Sequence, residues 1–123
     1  MPRPVHFDIS AEDPQRAADF YSTAFGWTFT KWDGPMEYWL ISTGGEEAGI
    51  DGGLGLRRPD APEVPFTLDV PSVDDYVTRV TEAGGTIVQP KSAIPGVGWM
   101  ALFADPEGNL FGMMEADETA GLG

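Results

Sequence analysis

Cysteine is absent from the 123-residue chain, and histidine occurs once, as His6. Disulfides, zinc–thiolate sites, iron–sulfur clusters and thiol nucleophiles are therefore excluded, and so is a His-rich metal site. Bases are scarce, with 7 Lys and Arg against 20 Asp and Glu, for a formal net charge of -13. That excess argues against nucleic acid or an anionic membrane as partner, because both require positive charge. Long hydrophobic runs are missing too. The longest apolar-like stretch, Gly96 to Ala104, is far too short to span a bilayer, and Met1-Pro2-Arg3-Pro4-Val5-His6 has no apolar signal core. These features predict a cytoplasmic protein. Only Lys31 and Lys91 are lysines. An acidic, Lys-poor surface suits a high-salt cytoplasm, and it equally suits an ordinary acidic protein of a high-GC genome.

What is present is a core: 41% of residues are apolar. A chain of this length buries about two-thirds of its unfolded surface and makes one domain. Val5 to Ile9 alternates and predicts a half-buried strand. Asp13 and Pro14 then open a helix whose apolar stripe is Ala17, Phe20, Tyr21 and Ala24, and Gly26 closes it. Strands follow at Trp27–Trp32 and Met36–Thr43, with turn chemistry at Asp33-Gly34-Pro35 and a glycine-weakened fourth strand at Gly49–Leu54. Gly55 to Pro65, with its prolines and the pair Arg57-Arg58, reads as a linker.

Then the order repeats. Phe66 to Val70 is a strand, Ser72 and Asp75 form a capping box, and Val73, Tyr76, Val77 and Val80 make a second helical stripe. Gly84-Gly85 stops the helix. Thr86–Gln89 closes at Pro90, and strands at Gly98–Phe103 and Leu110–Glu115 flank the turn Asp105 to Asn109. His6-Phe7-Asp8-Ile9 and Thr67-Leu68-Asp69-Val70 superpose at an offset of 61. The predicted fold class is α+β: paired βαβββ modules forming a curved, cupped mixed sheet with helices on the outer face. Module one spans residues 4–55, a linker 56–64, module two 65–115, and a frayed tail 116–123.

Three stretches carry a family likeness: Asp105-Pro106-Glu107-Gly108-Asn109-Leu110-Phe111-Gly112, His6 to Ile9 followed by Arg16 to Tyr21, and Phe20-Tyr21-x-x-Ala24-Phe25-Gly26-Trp27. With them the chain resembles the vicinal oxygen chelate superfamily of glyoxalases, bleomycin-resistance proteins and extradiol dioxygenases, from about Val5 to Glu115. The resemblance implies a cavity metal held by residues of both halves. A His on the first strand of a half is matched by His6 and, in the second half, by Thr67. A Glu on the last strand is matched by Gly112 and, in the first half, by Gly52, or by Asp51 if the register slips by one. The usual ligand set is thus mostly missing.

Read from the residues alone, His6 and Asp8 share a strand face opposite Val5, Phe7 and Ile9. They are candidate catalytic residues, with His6 also a candidate metal ligand beside a hydrogen-bonded strand histidine as the plain alternative. A metal shell would need carboxylates from Asp8, Glu37, Asp51 or Glu115, a set suited to Mn, Fe, Ni or Mg more than to a closed zinc site. Asp8 and Asp69 stand in equivalent places, as a titrating pair or as two structural acids. Tyr38, Trp39, Asp51, Trp99 and Met114 are candidate ligand-binding residues, the large soft groups serving to stack a flat apolar molecule or simply to pack a core. If Gly112 faces the cavity, Glu115 points away from it. The glycine-rich stretches match no phosphate loop, and no Gly-x-Ser-x-Gly elbow occurs. Three functions follow: metal-free binding of a small apolar or aromatic molecule, a metal-dependent lyase, isomerase or dioxygenase, or an interaction module with a self-filled cavity. Exposed sheet edges predict a homodimer.

Overall fold

A computed structural model describes residues 2–34, 36–60 and 63–122. Pro35 of the predicted turn, Ala61 and Pro62 of the predicted linker, and Gly123 of the predicted tail lie outside the described residues. The chain groups into two compact units, one of His6–Pro65 and one of Phe66–Gly123 with Met1–Val5.

The first unit contains β1 (Arg3–Ala11, begun in the other unit), α1 (Pro14–Phe25), β2 (Thr28–Lys31), β3 (Tyr38–Ser42) and β4 (Asp51–Leu56). Its strands run in the order β2-β3-β4-β1, with β1 parallel to β4 and the other pairs antiparallel. Local chemistry fixes α1. The Asp13 carboxylate accepts from Arg16 N at 3.1 Å, Pro14 needs no amide partner, and Gly26 ends the helix at φ 76°. Side-chain alternation sends Phe7, Ile9, Leu54, Ile41 and Trp39 to the helix side, where they pack with Ala17 and Ala18. Leu54 is fully buried. The same alternation turns His6, Asp8 and Ser10 to the other face.

The second unit contains β5 (Phe66–Asp69), α2 (Val73–Glu82), β6 (Thr86–Ile94), β7 (Gly98–Ala104) and β8 (Leu110–Ala116). Its order is β5-β8-β7-β6, again with the first strand parallel to the last and the rest antiparallel. Ser72 Oγ accepts from Asp75 N at 3.2 Å, and Glu115 Oε1 accepts from Val73 N at 3.0 Å. Glu115 is thus a helix-capping acid on the helix side of β8. Val70, Val73, Ala101 and Met113 form the buried core. Burying one such Val or Met contributes about 1.5–3 kcal/mol. The chain is therefore α+β and writes βαβββ twice with mixed sheets, as its sequence pattern predicts.

Three local expectations differ. β6 does not stop at Pro90 but continues to Ile94, with register shifts between Ile87 and Gln89 and between Gln89 and Ser92. At the end of its unit's ladder, β6 tolerates a residue without an amide proton where an inner strand would not. β4 begins at Asp51 and runs to Leu56, two residues past the predicted end. The tail expected to fray from residue 116 is docked instead. Asp117 N donates to Val97 O at 3.0 Å, Gly96 N donates to Ala120 O at 3.0 Å, and Ala120 is fully buried. Asp117 also accepts from Trp99 Nε1 at 3.0 Å. These bonds join residues far apart in sequence, so no periodicity announces them.

Candidate functional site

The inner face of the first unit is assembled from three strands. β1 supplies His6, Asp8 and Ser10, β3 supplies Tyr38, and β4 supplies Asp51, Gly53 and Gly55. The register sets His6 beside Asp51, Asp8 beside Gly53 and Ser10 beside Gly55, with Tyr38 across from Gly55. A Cβ at Gly53 would fall inside the Tyr38 ring and hydroxyl, so the missing side chain is what admits the tyrosine.

Tyr38 Oη donates to Asp8 Oδ1 at 2.6 Å and lies 3.0 Å from His6 Nε2. His6 Nε2 and Asp8 Oδ1 are themselves 3.5 Å apart, and each side chain is 33% exposed. A phenol has one proton. Since Tyr38 gives it to Asp8, the contact with His6 requires a proton on Nε2, which leaves Nδ1 as the basic nitrogen of a neutral ring. Burial, then the hydrogen bond to Asp8, then the charge of Asp8 raise the Tyr38 pKa far above the ordinary tyrosine range. Tyr38 therefore stays a neutral donor throughout the physiological range. Trp32 meets it edge-on, with centroids 6.1 Å apart. With both protons used inside this group, the second Asp8 oxygen and His6 Nδ1 remain as acceptors for a ligand hydroxyl, and a proton can pass along the line from imidazole to phenol to carboxylate.

A cavity of about 650 Å³ opens on this face, lined by Asp8, Ser10, Tyr38, Gly55, Arg57 and Arg58 among others. In the sequence the two arginines stand in a proline-rich stretch that reads as linker. The available signal was parity: Arg57 continues the row Gly53, Gly55 in a chain poor in bases.

The other sequence candidates lie elsewhere. Trp39 packs on the α1 side, and Lys31 Nζ stands 5.6 Å from its ring centroid. Trp99 packs on the α2 side, with Lys91 Nζ 4.6 Å from its ring. Both alternate away from the faces that carry Tyr38 and Met114. Met114 is half-buried in β8, across from Met100. Asp51 turns its carboxylate to Thr43, accepting from the amide at 2.9 Å. Asp69 and Glu37 are exposed.

The metal that the resemblance implies is not well matched by these donors. His6 Nε2 and Asp8 Oδ1 are already bridged by the Tyr38 hydroxyl, and Asp51 is engaged by Thr43. The register makes Asp51, not Gly52, the counterpart of Gly112, because His6 pairs with Asp51 as Thr67 pairs with Gly112. The second unit thus offers a hydroxyl and no side chain at its two places. Among the described residues, no three of His, Asp and Glu come together as a metal-holding group. No helix among them is long and apolar enough to cross a membrane.

Comparison with known proteins gives the following. Residues 5–114 match the family model described as a glyoxalase-like domain. The anthracycline biosynthesis protein DnrV of Streptomyces peucetius is 32% identical over 97% of this chain and 50% of its own length. The chain thus spans about half the length of the curated relatives it matches. Among solved structures, hypothetical protein BH1468 of Bacillus halodurans C-125 is similar with TM-score 0.73 and 16% identity, covering 97% of each chain. Methylmalonyl-CoA epimerase of Mycobacterium tuberculosis has TM-score 0.67 and 17% identity, covering 93% of this chain and 87% of its own. At such identities the structures speak for the fold alone.

Proposed function

The chain belongs to the glyoxalase-like domain family of the vicinal oxygen chelate superfamily, and from that premise we propose that it binds a small apolar or aromatic molecule on the inner face of its first unit, without a divalent ion. The observation that carries this reading is the Tyr38 hydroxyl, which bridges His6 and Asp8 and so engages two of the donors that a metal shell would draw on. His6, Tyr38 and Asp8 then act as a polar anchor that accepts from a ligand hydroxyl. The Tyr38 ring, seated over Gly53, and the side-chain-free Gly55 beside it give a surface against which a flat body can lie. The name of the Streptomyces peucetius relative, an anthracycline biosynthesis protein, is in keeping with an aromatic ligand. A cytoplasmic homodimer is part of the same proposal. The exposed rings of Phe20 and Phe25 are surface that a second copy would cover.

A metal-dependent lyase, isomerase or dioxygenase is the second reading. It is favoured by the pairing of His6 with Asp51, two side chains that could both reach one ion after rearrangement of Tyr38.

The test is metal analysis of protein purified without affinity tag or chelator, beside His6→Ala. The expected result is no stoichiometric divalent ion in either protein, together with quenching of tryptophan fluorescence by an aromatic ligand that weakens in His6→Ala. One ion per chain, lost in the variant, overturns the proposal in favour of the metal enzyme.

A further inference from the structure

Arg57 and Arg58 stand out against the charge of the molecule. The chain has 7 bases in all, yet these two are adjacent and line the same cavity as Tyr38 and Asp8. β4 carries them there. Arg57 N continues the β1–β4 ladder by donating to Ala11 O at 2.8 Å, so its side chain follows Gly53 and Gly55 on the inner face.

The acids nearby are engaged. Glu63 accepts from Ser10 Oγ at 2.6 Å and stands 3.8 Å from Arg57 Nε, a loose ion pair between exposed groups. Asp8 is held by Tyr38. Arg57 Nη2 donates to Ser10 O at 3.1 Å, which orients the guanidinium and leaves Nη1 free to bind. Arg58 has no carboxylate within ion-pair distance among the described residues. Two adjacent cations, one of them oriented by Ser10, beside the bare backbone of Gly55 make a receptor for a planar oxyanion, since a guanidinium meets a carboxylate through parallel hydrogen bonds.

Resting on the metal-free binding reading above, we propose that the ligand is an aromatic carboxylate, its acid group seated on Arg57 and Arg58 and its far end reaching Tyr38 and Asp8 in the same cavity. Gly53 lies beside Tyr38, and Arg57 is four residues further along the strand, about 13 Å at the usual strand rise. With the arginine side chain reaching back along the trough, a one- or two-ring acid spans that distance. The net charge of -13 repels anions at long range. Any preference for an anion must therefore come from these local contacts.

The experiment is equilibrium dialysis of the full chain with 2-naphthoate and with 2-naphthamide, which share a ring system and differ in charge. Wild type, Arg58→Gln, Arg57→Gln and the charge-keeping Arg57→Lys are compared, with thermal unfolding of each as the check on folding. Naphthoate is expected to bind wild type about tenfold more tightly than the amide, the equivalent of one good charged contact. Arg58→Gln and Arg57→Gln each shrink the ratio of naphthoate to naphthamide affinity, and Arg57→Lys retains part of it. Equal binding of the two compounds, or an advantage that survives in both glutamine variants, overturns the carboxylate assignment and leaves the aromatic-binding reading standing. Binding of neither compound overturns both.

Discussion

Removal of the Tyr38 hydroxyl gives a signature that depends on pH. Tyr38→Phe keeps the ring against Trp32 and deletes the 2.6 Å bond to Asp8 and the 3.0 Å contact with His6. A hydrogen bond to a charged acceptor contributes about 1.5–3 kcal/mol, and partial exposure puts this one near 1–2 kcal/mol. For a chain of this size the melting temperature falls by about 3–8 °C. Because the folded protein holds the Tyr38 pKa above that of the unfolded chain, its contribution is fully present below about pH 10 and is lost as pH rises beyond it. There the unfolded state sheds a proton that the native state keeps, so wild type loses up to about 1.4 kcal/mol per pH unit, or about 0.7 once solvent screening is allowed for. The variant has no such loss. Urea unfolding at pH 8 and at pH 11 should show the gap between the two proteins narrowing by about 0.7–1.4 kcal/mol. Tyrosinate absorbance developed by the folded proteins should be the same in both below pH 11. A gap independent of pH, or one tyrosinate fewer in the variant, would refute the buried-donor assignment.

Other expectations follow from single contacts. Gly53→Ala places a methyl inside the Tyr38 ring and should cost about 1–3 kcal/mol by overpacking, read as a lower melting temperature, and should weaken naphthoate binding in the same protein. Glu115→Ala removes the acceptor of Val73 N and should destabilise by about 0.5–2 kcal/mol in urea unfolding, with Glu115→Gln much closer to wild type.

The features legible in the sequence are those set by near neighbours. Asp13, Pro14 and Gly26 bracket α1 within one or two residues of its ends because capping is local. Periodicity separates Phe7 and Ile9 from His6 and Asp8 for the same reason. The β4 register resisted reading because Gly52, Gly53 and Gly55 carry no side chains to alternate, and only pairing with β1 fixes Asp51 beside His6. Tyr38 was legible as a large aromatic, but not as the partner of a histidine 32 residues away. Tyr38 and Trp39 are neighbours on one strand, so only one of them can face inward, and parity alone could have separated them. The docked tail was hidden because its bonds run to Val97 and Gly96 rather than along its own segment.

Pro90 has a bearing on how this protein behaves at high concentration. β6 closes its unit's ladder, and the rim of a sheet is where strands of other molecules add on. A residue without an amide proton, lying within the second of two breaks in register, interrupts the even row of donors and acceptors that a growing fibril copies. Replacing it with valine would return an amide donor to this nine-residue strand. The irregularity that shortens β6 in a sequence reading is thus a guard against self-propagating aggregation.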